Sequence, residues 1–288
     1  MTPLRQKMID NMKLRGFSPR TQQSYVDAVA ALATHFKDSP DKLGKEDVQS
    51  YLLYLMEERK LAWSTCNVAI SAFRFFYGET IGDDSMRLAI PPRKTIHTLP
   101  EILSAEELER LFNAERNLKH RVMLMTTYAG GLRVSELVGL KVSDIHSERM
   151  MIRIDQGKGN KDRYTILSES LLKDLRTYWK AYRPAHFLFS AKDSNKKMHI
   201  ATAQKIYYKA KKNAGIKRGR GIHTLRHCFA THMLEAGVDV RTIQMLMGHK
   251  SILTTVVYLQ VTRKKLDSIK NPLDLLAIPD STPTKKEQ

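Results

Sequence analysis

Apolar residues have the spacing of helices through most of the first ninety positions. After Ser18-Pro19, apolar residues recur every three or four positions, at Tyr25, Val29, Leu32 and Phe36. Ser18-Pro19 is typical of a helix start, because serine caps the first turn and proline fits the first helical position. Similar spacing predicts two later helices, one over about 45–60 and one over about 64–77. This part of the chain is therefore predicted to be helical.

The pattern changes after residue 90. Residues 91–100 contain three prolines and no helical spacing, which predicts an extended linker. Ser104 and Glu107 have the spacing of a capping box and predict a new helix. Apolar and polar residues then alternate over 151–154 and 164–166 around a glycine-rich turn, which is the pattern of a β-hairpin. Helical spacing resumes after the hairpin.

These elements predict a mainly helical protein with a small β-sheet, arranged in two domains. The chain has 288 residues, enough for two domains of ordinary size. We expect a helical domain over 1–90, a linker over 91–100, a mixed α/β domain over 101–278 and a disordered tail over 279–288. The tail is assigned because its residues show no apolar pattern.

The charge of the chain points to a polyanionic partner. The net charge is +18, of which residues 1–100 contribute +3 and the remainder +15. Nucleic acid is the first candidate and a membrane surface the second, although no basic helix with a strong apolar face stands out. No apolar run approaches the roughly 18 residues needed to span a bilayer, and the N-terminus lacks a signal-peptide core. We therefore expect a cytoplasmic protein, and its two cysteines agree with a reducing compartment.

Six residues, spaced along the second region, suit phosphoryl transfer from a phosphodiester without a metal. They are Arg133, Lys158, His223, Arg226, His249 and Tyr258. Arginine binds phosphate oxygens through a planar fork of N–H donors. Tyrosine can attack phosphorus and hold the phosphate covalently, while lysine and histidine can move protons. Glu136 lies on the same helical face as Arg133, three residues further on.

A zinc site is a weaker interpretation of the histidines. His223 and His227 have the i, i+4 spacing of some zinc sites, and Cys228 and His232 follow on the same segment. Arg226, between the first two, would repel a cation, and the glutamate of the metalloprotease pattern is missing. We therefore expect no metal, and we expect His227 and His232 to be structural or to face DNA.

The identity of the catalytic lysine rests on its flanking residues. Lys158 lies between Gly157 and Gly159 at the predicted hairpin turn, where glycines permit a loop that closes on a substrate. Lys161 and Arg163 are nearby cations and remain alternatives. The Gly-x-x-x-x-Gly-Lys-Ser/Thr pattern is absent, which excludes a phosphate-binding P-loop.

The order and spacing of the six residues resemble the tyrosine recombinases, a family that includes phage integrases, integron integrases and Xer-type recombinases. The resemblance covers about residues 2–278. It implies a SAM-like core-binding domain and a catalytic domain that together clamp duplex DNA. Four protomers, identical or including a related recombinase, would assemble on two DNA sites. The resemblance implies neither ATP nor a cofactor.

The resemblance also implies a role for each residue at the reacting phosphate. Tyr258 would attack it and form a 3′-phosphotyrosyl bond, leaving a 5′-hydroxyl. Arg133 and Arg226 would bind its non-bridging oxygens, and Lys158 would give a proton to the departing 5′ oxygen.

Three further residues complete the implied site. His223 would handle the tyrosine proton, His249 would donate a hydrogen bond to the phosphate, and Glu136 would orient the other side chains. Two alternatives remain: a type IB topoisomerase, which uses a similar active site, and a DNA-binding protein without catalysis. The sequence does not indicate the DNA target or a Xer-like, integron or transposon role.

Overall fold

The computed structural model describes residues 2–83, 99–155, 162–191 and 196–260. Over these ranges the chain is mainly helical with one three-stranded sheet, which confirms the predicted fold class. It divides into two compact units, Met1–Thr95 and Ile96–Gln288. None of the helices in these ranges is long and apolar enough to cross a membrane. Most of the predicted linker and the whole predicted tail lie outside the described residues.

Four α-helices form the first unit as far as the structure describes it, over residues 2–83. They are α1 (Pro3–Leu14), α2 (Pro19–Phe36), α3 (Lys45–Glu57) and α4 (Trp63–Phe75), and a π-helix follows at Phe76–Ile81. The side chain of Ser18 accepts the N–H of Thr21, as the predicted helix start requires. Such a cap stabilises a helix by about 1 kcal/mol. The helices enclose an apolar core in which Leu32 and Phe73 are completely buried.

The second unit contains eight α-helices within its described residues. They are α5 (Ala105–Ala114), α6 (Leu118–Ala129), α7 (Val134–Gly139), α8 (Glu169–Tyr182), α9 (Ile200–Asn213), α10 (His223–Glu235), α11 (Val240–Met247) and α12 (Leu253–Val256). Short 3₁₀ helices lie at Val142–Asp144 and Val257–Gln260. The predicted capping box opens α5: Ser104 accepts the N–H of Glu107, and the Glu107 carboxylate accepts the N–H of Ser104.

The sheet is antiparallel and follows chain order. Its strands are β1 (Ile145–His146), β2 (Met151–Ile154) and β3 (Arg163–Ile166). β2 and β3 confirm the predicted hairpin, whereas β1 was not predicted because two residues give no alternating pattern. Side chains two apart share a face of a strand, so Arg163 lies on the same face as the buried Thr165. The Thr165 hydroxyl donates to the carbonyl of Gly130, 3.0 Å away, and holds this face against the turn after α6.

Helix α10 lies between two apolar cores of the second unit. Leu225 and Cys228 are buried in the larger core, while Phe229 and Leu234 are buried in the smaller one, which α11 and Tyr258 complete. Since it packs on both sides, α10 has little freedom to shift. Arg226, a predicted site residue on α10, is therefore held between these two cores.

Candidate active site

Arg133 is positioned by a tight turn between α6 and α7. Gly131 has a φ of +59°, and a Cβ on it would lie 2.4 Å from the Phe229 ring, so only glycine fits there. Arg133 then caps α7, with its N–H donated to the Glu136 carboxylate over 2.7 Å. Its guanidinium donates to the other Glu136 oxygen over 2.8 Å. The turn and the carboxylate thus fix both ends of the arginine.

Glu136 lies among three arginines, Arg133, Arg163 and Arg226. We call these four residues together the arginine cluster. Arg163 binds both carboxylate oxygens, at 2.8 and 2.9 Å, and the Arg226 guanidinium lies 3.7 Å from one of them. Burial alone would raise the pKa of this carboxyl. Hydrogen bonds and charge from Arg163, and then from Arg133, lower it to about 2. Glu136 is therefore ionised at any physiological pH.

The carbonyls at the end of α11 hold the same arginines. Arg226 is 1% exposed and donates to the carbonyls of Gly131 (2.5 Å) and Met247 (2.6 Å). Arg133 donates to the carbonyl of Gly248 at 3.2 Å. Cations are favoured beside the last carbonyls of a helix, where the helix dipole is negative. Burial, and then the charge of Arg133, lowers the pKa of Arg226 to about 9, so it stays charged near neutral pH.

Gly248 ends α11 and, because it has no side chain, leaves room for Arg163. It has a φ of +62°, and a Cβ on it would lie 2.7 Å from Cδ of Arg163. Arg163 also donates to the carbonyl of Leu246 at 2.9 Å. Three guanidinium groups and one carboxylate thus meet in a small, largely buried volume. The excess of positive charge suits the arginine cluster to binding an anion such as a phosphate.

The second half of the site, the tyrosine cluster, consists of Tyr258, His227, His249 and Thr255. Tyr258 is 4% exposed, and its hydroxyl oxygen lies 2.9 Å from Nδ1 of His227. Its ring stacks on that of His249, with centroids 6.5 Å apart and planes at 13°. Nδ1 of His249 lies 2.8 Å from the hydroxyl of the buried Thr255. The tyrosine is therefore held between two histidines.

Burial keeps the tyrosine cluster uncharged. Desolvation raises the pKa of Tyr258, although the charges of Arg226 and Arg133 oppose it. Burial, followed by His223 and Arg226, lowers the pKa of His227 to about 4. Burial, followed by Arg226 and Arg133, lowers the pKa of His249 to about 3. At neutral pH both imidazoles are neutral and the phenol is protonated.

Five of the seven predicted residues come together here: Arg133, Glu136, Arg226, His249 and Tyr258. His223 begins α10, is exposed, and packs edge-on against His227 with centroids 5.3 Å apart. Lys158 and its alternative Lys161 lie outside the described residues.

Two residues of the site were not predicted for it. Arg163 was considered only as a substitute for the lysine, yet it makes the bidentate contact to Glu136. His227 was assigned a structural or DNA-facing place, yet it contacts the Tyr258 hydroxyl. His232 proves structural, since its Nδ1 lies 2.9 Å from the Tyr128 hydroxyl. Within the described ranges, His, Cys, Asp and Glu side chains form no group of three that could hold a metal.

Comparison with protein families identifies both units. The family model described as "Phage integrase family" matches residues 101–265, and the model "Phage integrase, N-terminal SAM-like domain" matches residues 4–86. A Sinorhizobium fredii protein, y4qK, named as an integrase/recombinase, is 43% identical over 98% of this chain and 92% of its own length. The tyrosine recombinase XerA of Pyrococcus horikoshii is 36% identical over 75% of this chain and 76% of its own.

Solved structures share the architecture. The crystal structure of XerA recombinase is 27% identical, covers 92% of this chain and 95% of its own, and has a TM-score of 0.54. A lambda integrase dimer bound to a COC′ core site has a TM-score of 0.71 with 17% identity, and covers 87% of this chain and 95% of its own. At that identity the second likeness concerns the fold alone.

Proposed function

The chain belongs to the phage integrase family, and from this premise we propose that it is a site-specific DNA recombinase of the tyrosine type, acting in the cytoplasm. One observation carries the proposal: a buried tyrosine, Tyr258, lies beside a cluster of three arginines with an excess of positive charge. A phosphodiester bound by the arginines would meet the tyrosine hydroxyl. The excess of basic residues after residue 100 would attract the rest of the duplex.

Arg133 and Arg226 bind the non-bridging oxygens of the reacting phosphate. Their guanidinium groups are already oriented by Glu136 and by backbone carbonyls, so binding costs little reorganisation. Negative charge that develops on those oxygens in the transition state is stabilised by both cations. Arg163 stays on Glu136, where it keeps the carboxylate in place for Arg133.

Tyr258 attacks phosphorus and forms a 3′-phosphotyrosyl ester, while the 5′ oxygen leaves as a hydroxyl. The 5′-hydroxyl of a partner strand then attacks that ester and restores a phosphodiester. Because an ester replaces an ester at each step, the exchange consumes no ATP. Paired exchange requires two DNA sites and four protomers, and we propose a homotetramer or a mixed assembly with a related recombinase.

The histidines assist the same phosphate. If the Thr255 hydroxyl donates to Nδ1 of His249, the ring proton stays on Nε2, which can then donate to a phosphate oxygen. The resemblance gives His223 the tyrosine proton, but His223 is exposed at the start of α10, and we propose it as a second donor towards the DNA. Lys158 is proposed as the general acid for the 5′ oxygen.

Covalent trapping tests the nucleophile. Wild-type protein is first trapped on a library of DNA to obtain a cleavage site, which is then made as a nicked suicide substrate. Tyr258→Phe should bind this DNA and form no covalent complex, since it lacks the attacking oxygen. Tyr128→Phe is a matched control, because Tyr128, a half-buried tyrosine, also has a histidine on its hydroxyl. Covalent linkage by Tyr258→Phe would refute the assignment.

The same substrate separates the rival activities. A type IB topoisomerase would relax supercoiled DNA as a monomer, whereas a recombinase should form a four-protomer complex that joins two sites. A DNA-binding protein without catalysis would give no covalent product with wild-type protein.

A sulfur substrate tests the general acid. Replacing the bridging 5′ oxygen with sulfur creates a leaving group that needs no proton. Lys158→Ala should lose about 10²–10⁴-fold in cleavage rate on normal DNA and recover most of that loss on the sulfur substrate. Lys161→Ala is the control. Recovery by Lys161→Ala alone would make Lys161 the acid, and recovery by neither would remove the hairpin from this role.

A further inference from the structure

The hydroxyl of Tyr258 has a base beside it in α10. Nδ1 of His227 lies 2.9 Å from the phenolic oxygen, and the two ring centroids are 5.7 Å apart. His227 is one helical turn after His223, so both rings project from the same face of α10, but His227 is the more buried of the two. The direct contact to the nucleophile thus belongs to His227.

The protonation states at this contact suit proton transfer. The pKa of His227 is lowered to about 4, so its imidazole is neutral near pH 7 and has a free lone pair on one nitrogen. The pKa of Tyr258 is raised, so the phenol keeps its proton. With its ring proton on Nε2, His227 accepts the hydrogen bond of the phenol at Nδ1. His223 and Arg226 are the charged or titratable neighbours of His227 within α10.

A second histidine–tyrosine pair shows what is particular to this one. His232 and Tyr128 make the same contact, Nδ1 to hydroxyl at 2.9 Å, but no arginine is among the causes that shift the pKa of Tyr128. Burial raises the pKa of Tyr258 too, but there the charges of Arg226 and Arg133 oppose the rise. Ionisation of the phenol is therefore assisted electrostatically only in the pair that contains His227.

The proton also has a route to solvent. A cavity of about 820 Å³ is lined by both His227 and Tyr258, and Glu101, Arg220 and Thr224 add polar groups to its wall. Such a volume admits several water molecules, which need polar partners of this kind. A proton received by His227 can pass to this solvent between one reaction step and the next.

We propose that His227 is the catalytic base that accepts the proton of Tyr258. The inference rests on the proposed function and names a residue for one of its steps. As the bond from the tyrosine oxygen to phosphorus forms, the phenolic proton moves to Nδ1 of His227. The bond from phosphorus to the 5′ oxygen breaks, and that oxygen takes a proton from the general acid assigned to Lys158. In the joining step Lys158 takes the proton of the attacking 5′-hydroxyl, and His227 gives a proton to the departing phenolate.

Two substitutions separate proton transfer from positioning. In His227→Asn the amide oxygen can accept the phenolic hydrogen bond at about the position of Nδ1, but it cannot take up the proton. His227→Ala removes both functions. We expect both variants to bind DNA and to form the phosphotyrosyl complex about 10²–10⁴-fold more slowly than wild type. His232→Asn, the matched control, should cleave normally.

A more acidic nucleophile completes the test. Tetrafluorotyrosine, placed at position 258, ionises well below the ordinary tyrosine pKa and needs no base. With it, the difference between His227→Asn and the histidine-containing protein should shrink to about tenfold or less. DNA binding and thermal unfolding, measured for each variant, identify any that fail to fold.

Three results would overturn the assignment. Normal cleavage by His227→Asn alongside a defect in His227→Ala would make His227 a positioning residue. Normal cleavage by both would remove it from the reaction. Recovery of His223→Asn, rather than His227→Asn, with tetrafluorotyrosine would make His223 the base. If wild-type protein forms no covalent complex with any DNA, the proposed function itself has failed, which is a different outcome.

Discussion

The arginine cluster and the tyrosine cluster are neighbours with opposite electrostatic designs. The first keeps its groups charged, with three guanidinium groups bound to Glu136 and to backbone carbonyls. The second keeps its groups neutral, because burial and the nearby arginines lower the pKa of His227 and His249 and burial raises that of Tyr258. The charge of the arginine cluster is thus part of the reason why the histidines of the tyrosine cluster are uncharged.

The difference shows how substrate binding to one cluster can change the proton affinity of the other. A phosphate would bring negative charge to the arginine cluster and weaken its repulsion of protons on the histidines. Binding of the substrate and readiness of the histidines to accept a proton are therefore coupled through the same three cations. This coupling can be tested by removing a charge from one cluster and measuring the reactivity or the pKa values of the other.

The largest effect is expected from Arg226. Arg226→Ala should slow cleavage by about 10³-fold or more, since one donor in an oxyanion hole is worth about 10²–10³-fold and this guanidinium adds charge. Arg226→Lys should recover little, because a lysine cannot donate to two carbonyls and a phosphate in fork geometry. The rate of covalent complex formation at saturating DNA is the measurement.

A basic residue outside the site provides the control. Arg153, on β2, pairs with Asp144 of the preceding 3₁₀ helix, and Arg153→Ala should change the cleavage rate little at saturating DNA. If Arg226→Ala cleaved as fast as this control, the arginine cluster would not be the phosphate site.

Removing Glu136 should affect stability more than chemistry. Glu136→Gln leaves buried arginines without their carboxylate, and loss of one partner of a buried pair costs about 3–5 kcal/mol of unfolding free energy. Glu79→Gln, which breaks the exposed pair with Arg15, should cost less than about 1 kcal/mol. Denaturant titration of both variants gives the comparison.

Acid provides a second view of the same carboxylate. The pKa of Glu136 is about 2 in the folded protein, below the unfolded value of roughly 4.3. Its stabilisation is therefore complete above pH 4.3 and is lost as pH falls from there towards 2. Glu136→Gln should lack this share of the acid sensitivity, and equal acid sensitivity in both proteins would contradict the central position of Glu136.

A smaller effect is expected from the histidines. The folded pKa values of His227 and His249, about 4 and about 3, lie below the unfolded value of roughly 6.5. Between about pH 6.5 and 4, these histidines are protonated in the unfolded chain but not in the folded protein. The free energy of unfolding therefore falls as pH drops from 6.5 towards 4, by of order 1 kcal/mol per histidine per pH unit. His249→Asn should flatten the decline.

Inorganic phosphate sharpens this last test. Bound at the arginine cluster, it should raise the pKa of both histidines and reduce the pH dependence of stability, and NMR titration of the imidazole protons would follow each shift. If neither phosphate nor Arg226→Ala changed the pKa of either histidine, the two clusters would not be coupled.

Sequence patterns predicted the fold class, the starts of α2 and α5, the hairpin strands and seven candidate site residues. They did not predict β1, which is too short to show a period, or the places of Arg163 and His227. Arg163 shares a strand face with Thr165, so strand parity alone could have placed it inside. The partner of His227 lies 31 residues further along the chain, and only the packing of the 3₁₀ helix 257–260 on α10 decides which histidine the tyrosine meets. Such distant contacts leave no local pattern.

Helix α10 sets a limit on how this enzyme can be changed. The helix contributes to two cores and carries two neighbouring residues of the site, Arg226 and His227, so nearly every position in it has a packing or chemical duty. Directed evolution towards a new DNA target would gain little from mutating it. A library that keeps residues 223–235 constant and varies exposed helix faces of both units would retain a larger fraction of folded, active members.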